Sequence, residues 1–299
     1  MFARFAPDTA VAAPSLALLT ACGDASAAEP AASPTPQGQE RKYRIEAIIA
    51  DCMKQKGFRY VPYIPPPAKE SEEELKRESG DYAAMKAYRE KYGFGVWASI
   101  VYPKEFGNPA AKPDNAPVDP NRGIQASLSA TQLRSYRNAR DTCNAKAVKE
   151  VTGTEVTGSI WQNGEQINKR IAQLRARELD GDPQLADLAA RMASCLRSKG
   201  YQVQSATPSA LGDRGEQRHR AELNRIAQEK TPQVKDTLKR IKNAIVVPNM
   251  TADEARPYLA REIKEALDDL ECGKDFYPVY APRSRDIDHR VYAEFGMGG

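Results

Sequence analysis

A nine-residue pattern that occurs twice constrains this chain more than any other feature. Cys52-Met-Lys-Gln-Lys-Gly57-Phe58-Arg-Tyr60 aligns without a gap on Cys195-Leu-Arg-Ser-Lys-Gly200-Tyr201-Gln-Val203. Each copy puts a large apolar residue after the cysteine, then Lys-Gly-aromatic at its close. Helix-end chemistry explains the order. Ile45, Ile48, Ile49, Cys52 and Met53 recur at helical spacing, and so do Leu185, Leu188, Ala189, Met192, Cys195 and Leu196. Both stripes predict amphipathic helices with the cysteine on the buried face. Lys56 and Lys199 suit the negative end of the helix dipole. Gly57 and Gly200 supply the left-handed residue that ends a helix, and Phe58 and Tyr201 fold back over it. Asp182 and Pro183 give the second helix an N-cap and a first residue.

Two further cysteines lie on matching elements. Ser129-Ala-Thr-Gln132 and Thr251-Ala-Asp-Glu254 read as capping boxes, each opening a helix with a cysteine near its far end. The cap-to-cysteine distances, 14 and 21 residues, differ by about two helical turns, which keeps the cysteine on one helix face. The expected fold is therefore mainly α. It has two related helical halves, each stapled by one disulfide and interrupted by a long irregular excursion. Four cysteines allow three pairings. If the halves arose by duplication, the simplest is Cys52–Cys143 with Cys195–Cys272. Loops this long could each contribute roughly 4–5 kcal/mol in the chain-entropy account.

The fifth cysteine sits elsewhere. Leu19-Thr20-Ala21-Cys22 follows a short apolar stretch and precedes an Ala/Pro/Ser-rich spacer. The arrangement resembles a bacterial lipobox, in which Cys22 becomes the lipidated first residue of the mature chain. The plainer alternative is one more buried or bridged cysteine. The organisation expected is a signal peptide at 1–21, a flexible tether at 22–39, a first helical half at 40–157, a linking helix at 158–180 and a second half at 181–299. Together the lipobox, the C-[ML]-x-x-x-G-[FY] repeat and the two later cysteines resemble a family of lipoproteins of high-GC Gram-positive bacteria. That family carries no assigned activity. The resemblance implies attachment to the cell membrane on its extracytoplasmic face, near exporters or wall proteins.

Between these landmarks, Ser71-Glu-Glu-Glu74 predicts a helix start, and Asp81 to Gly93 a capped helix. Residues 102–123, rich in proline, predict an irregular excursion. Gly158 to Asp180 predicts a helix with Ile160, Ile167, Ile171 and Leu174 on one side. Arg214 to Glu229 reads as a polar helix, Thr231-Pro232 as the start of another that includes Val234, Leu238, Ile241 and Ile245, and Asp286 to Phe295 as the last. Arg59–Val61, Gln202–Gln204 and Ala244–Val247 read as short strands.

Composition narrows the function classes. The net charge of +4 is spread along the chain, without the basic face a nucleic-acid role requires. The two histidines, His219 and His289, and the cysteine spacing do not suggest a structural zinc site. No nucleophile elbow, zincin motif or phosphate loop is present. No cofactor, metal or catalytic residue is expected. The carboxylate pairs Asp268 with Asp269, and Asp286 with Asp288, read as surface residues. The aromatic loop Tyr92, Phe94, Trp97 and Tyr102 has two readings, a binding surface or a core plug. The leading expectation is a non-catalytic, lipid-anchored binding or accessory protein of the envelope. Its partner would be another envelope protein or a cell-wall component. The alternative is a secreted wall-directed hydrolase with an unrecognised carboxylate site. A two-lobed solute receptor would require an α/β pattern that this periodicity lacks.

Overall fold

The computed structural model describes residues 36–66, 70–106, 118–157, 160–232 and 246–297. The Leu19–Cys22 segment therefore lies outside the described residues. So do most of the expected tether and the helix expected after Pro232.

The helix ends form as the repeat requires. Helix α1 (Pro36–Gln55) and helix α8 (Pro183–Ser198) finish in the same hydrogen-bonded cap. Gly57 N–H donates to Lys54 O and Phe58 N–H to Met53 O; Gly200 and Tyr201 repeat this on Arg197 and Leu196, all at 2.9–3.0 Å. Both glycines are left-handed, at φ 80° and 87°, a conformation that is costly for residues with a Cβ. The capping boxes of Ser129 and Thr251 open helix α6 (Ala130–Thr152) and helix α10 (Ala252–Cys272). Cys52–Cys143 then joins α1 to α6 with Cα atoms 5.6 Å apart, and Cys195–Cys272 joins α8 to α10 at 5.5 Å. The expected pairing and the mainly helical fold are what the chain adopts.

Helices α2 (Glu72–Glu78) and α3 (Tyr82–Tyr92) begin at the caps Ser71 and Asp81. Short helices α4 (Ala98–Val101) and α5 (Asn121–Ala126) fall in the first excursion. Helix α7 (Ile160–Glu178) follows α6. Helices α9 (Pro208–Lys230) and α11 (Tyr277–Glu294) complete the second half.

Several boundaries differ from expectation. Helix α1 starts at Pro36 and takes in the last four positions assigned to the tether; proline suits a first turn, where its missing N–H costs nothing. Helix α9 starts earlier because Asp180, from the turn between α7 and α8, accepts from Ser209 N–H at 2.8 Å and Ser209 Oγ at 2.7 Å. It is not polar throughout, since Leu211, Leu223, Ile226 and Ala227 are buried. Helix α11 begins nine residues before the expected Asp286, where buried Phe276, Tyr277 and Tyr280 anchor its first turn.

No strand forms among the described residues. Where the expected strands are described, side chains take the place of a neighbouring strand; Ala244 and Ile245 lie outside the described residues. Asn121 brackets Val61, accepting from its N–H at 2.9 Å and donating to its C=O at 2.8 Å. Arg197 donates to Val203 O, and Val246 N–H donates to Asn224 Oδ1. The backbone groups gain partners without a ladder.

Helix α6 packs chiefly against α1, whereas α10 is surrounded by α3, α4, α8 and α9. One core cluster runs through both halves, from Ile45, Met53 and Cys143 to Leu188, Leu196 and Ile287. A second gathers Val96, Trp97, Val101, Leu223, Ile226 and Leu259. Helices α3 and α4, which belong to the first half in sequence, thus lie on α10 of the second. No helix among the described residues is long and apolar enough to cross a membrane.

Candidate functional site

The aromatic loop is a plug. Trp97 is fully buried and stacks on Tyr258 at 4.4 Å between ring centroids. Tyr92, Phe94 and Tyr102 are half-buried around it. Tyr92 meets Tyr102 and Phe106 edge-on. Phe94 presses on α9 at Gly215, where a Cβ would lie 2.0 Å from the ring. Of the two readings open from sequence, the core one describes Trp97.

Glu262 of α10 holds that loop. Its Oε1 accepts from Phe94 N–H at 3.0 Å and Val96 N–H at 2.9 Å, and its Oε2 from Trp97 N–H at 2.9 Å. Burial pushes the Glu262 carboxyl up to about 7 against the pull of those three amides. One turn along, Glu265 pairs with Arg214 at 2.9 Å and also with Arg218. Next, Asp269 accepts from Arg89 at 2.8 Å and from the Tyr277 hydroxyl. All three acids are buried. Burial disfavours the Arg89 cation, but Tyr277 and Asp269 outweigh it and raise its pKa. His219 stands beside the row, its Nε2 3.2 Å from Glu265 Oε2. Burial, with Arg218, Arg261 and Arg214 nearby, lowers His219 to about 4 and keeps it neutral.

Sequence reasoning missed this row. The signal was an acid at an inward position of α10, Glu262, within a stripe of Ala255, Leu259, Ala266 and Leu270. The row joins five segments and presents no free carboxylate pair to solvent. Asp269 was expected at the surface and is fully buried; α3 and α11 cover it, which helix spacing alone does not reveal. Its neighbour Asp268 is half-buried and held well below the carboxylate range by Lys199, Tyr201 and Lys264. Asp286 pairs with Arg290. Asp288 pairs with Arg175 at 3.0 Å, and burial raises its pKa. Among the described residues no group of three or more His, Cys, Asp or Glu side chains could hold a metal ion.

Two clefts remain. The larger, about 660 Å³, is lined by Tyr201, Gln202, Gln204, Gln217, Arg214 and Arg218. Both of its arginines are already engaged by Glu265. The second, about 520 Å³, lies between α1, α6, α7 and the segment Phe295–Met297. One face of α6 lines it with Arg137, Arg140, Asp141, Asn144 and Val148, a helical i, i+3, i+4, i+7, i+11 series. Arg137 and Arg140 are exposed and make no ion pair among the described residues. Ile45 and Phe295 supply an apolar wall. Asn163 of α7 also lines it, 6% exposed, its Oδ1 buried without a hydrogen-bond partner. Its sequence signal was an amide one turn before inward-facing Ile167. The second cleft is the better candidate, because its charges and its buried amide are not spent on the fold.

The chain matches no protein-family model, no curated protein and no solved structure.

Proposed function

We propose that the chain is a lipid-anchored extracytoplasmic protein that binds or positions another component of the cell envelope and performs no catalysis. The observation that carries this reading is the pair of disulfides, Cys52–Cys143 and Cys195–Cys272. Such staples persist in oxidising compartments and are rare in the cytosol. Cys22 stands outside both bridges, which leaves it for the acyl modification that its lipobox-like setting suggests. The non-catalytic part rests on the acids: Asp268, Asp269, Asp286 and Asp288 each have an internal partner. The resemblance to lipoproteins of high-GC Gram-positive bacteria points the same way.

Metabolic labelling with a clickable fatty-acid analogue tests the anchor. The wild-type chain should carry label and sediment with membranes, whereas Cys22→Ser should lose the label and move to the soluble fraction. Unchanged membrane retention of the unlabelled variant overturns the lipidation reading.

A further inference from the structure

We propose that the cleft between α1, α6, α7 and Phe295–Met297 binds a short peptide, with a free carboxylate at one end and an apolar side chain at the other. This rests on the binding role proposed above and names the chemistry of its ligand.

Three features of the cleft select that chemistry. Its charged end carries Arg137 and Arg140 with the half-buried Asp141, a net charge of one positive. Two guanidinium groups with no carboxylate partner among the described residues match a carboxylate, which arginine can bind through two hydrogen bonds. Its other end is apolar. There Gly296 approaches Ile45 and Val148 so closely that a Cβ would lie 2.8 Å from Ile45 Cδ1. Phe295 completes the wall, and Met297 reaches the surface beside it. From Arg140 to Val148 the helix rises about 12 Å. An extended chain of about four residues spans that length.

The third feature separates a peptide from a fatty acid. Asn163 leaves a buried amide atom unpaired at the cleft, and a buried polar atom without a partner is costly. A carboxylate with a hydrocarbon tail offers it nothing. A peptide unit offers both an N–H and a C=O, so it satisfies Asn163 whichever way the side-chain amide is turned.

The test is titration calorimetry on the full chain with the tetrapeptide leucyl-alanyl-alanyl-alanine. Two controls accompany it: the same peptide with an amidated C-terminus, and octanoate. The free acid should bind; the amidated peptide, which loses one charged hydrogen-bonded contact, and octanoate, which leaves the buried Asn163 amide unpaired, should each bind at least about ten-fold more weakly. Replacing both arginines, Arg137→Ala with Arg140→Ala, should weaken the free acid by at least about ten-fold while thermal unfolding stays unchanged, because both side chains are exposed. No heat of binding from the wild-type chain up to about 5 mM peptide overturns the proposal. So does equal binding of acid and amide, which removes the carboxylate contact, or octanoate binding as tightly as the peptide, which removes the amide contact. If the doubly substituted chain unfolds, acid against amide on the wild type still decides. Failure here with intact labelling at Cys22 removes the ligand and leaves the anchor standing.

Discussion

Counting back from the cysteine of each stapled helix, Leu133, Tyr136 and Arg140 of α6 correspond to Glu262, Glu265 and Asp269 of α10. The caps and the staples match, but the chemistry at these positions is opposite. Tyr136 is buried against Phe58, and Arg140 is exposed. The three acids of α10 are all buried and engaged. The cause is where the first excursion lies. Helices α3 and α4 lie on α10, so positions that are half-buried or open on α6 acquire a second covering layer on α10. Acids there are tolerable only with Arg89, Arg214, Arg218 and the loop amides as partners. On α6 one face stays open, and the cleft lined by Arg137 and Arg140 lies on it. Matching helix ends thus frame a polar interior in one half and an open face in the other.

The largest expected effect tests that asymmetry directly. Asp269→Ala leaves Arg89 buried without its carboxylate and should cost about 3–5 kcal/mol in urea unfolding. At the corresponding position of the first half, Arg140→Ala should fall within about 0.5 kcal/mol of wild type. Equal losses at the two sites would mean that the buried row contributes nothing special to α10.

This contrast also marks how far the sequence could be read. Helix ends were legible because a cap is local: Ser71, Asp81, Ser129, Asp182 and Thr251 each bond a backbone N–H within three residues. The disulfide pairing was legible because the repeat supplied it. What lies against α10 was not, since the contact of Glu262 with Phe94 joins positions 168 apart. The strands were misread at Val61 and Val203 for a related reason. Extended apolar segments look alike whether a strand or a distant Asn121 or Arg197 side chain satisfies them. Of the candidate cleft, the arginines of α6 were visible as residues. Their lack of ion-pair partners among the described residues became visible only once the fold had placed the acids there.

The next effect should be symmetric in energy and asymmetric in rate. The two bridges close loops of similar length, with sequence separations of 91 and 77. Replacing either cysteine pair by alanines should therefore cost a similar amount, about 2–4 kcal/mol. Access differs. Cys52 and Cys143 are buried, whereas Cys195 and Cys272 are half-buried. Under a limiting phosphine reductant, alkylation and mass spectrometry should find Cys195–Cys272 open first, since attack on a disulfide depends on access to the sulfur. Opening in the reverse order would show that the first half unfolds locally more often than the second.

The smallest effect concerns pH and belongs to the polar half alone. His219 is lowered from 6.5 to about 4. The unfolded chain therefore takes up its proton first, and the stability tied to neutral His219 is present above 6.5 and lost as pH falls toward 4. Glu262 is raised from 4.5 to about 7. Its contribution has the opposite sign, being full below 4.5 and lost as pH rises through 7. Between 4.5 and 6.5 the two slopes oppose, so the wild-type profile should be flatter there than either group alone would make it. Single substitutions separate them. The stability gap between wild type and His219→Gln should be widest near pH 7 and narrow toward pH 4. The gap for Glu262→Gln should be widest near pH 4.5 and narrow as pH rises past 7. Other titrating groups, such as Glu216, Asp213 and Asp288, are common to wild type and variant and cancel in the difference. Denaturant unfolding at several pH values measures both gaps. If either gap is constant across the range, that side chain does not change its protonation on folding, and its place in the buried row is one of packing alone.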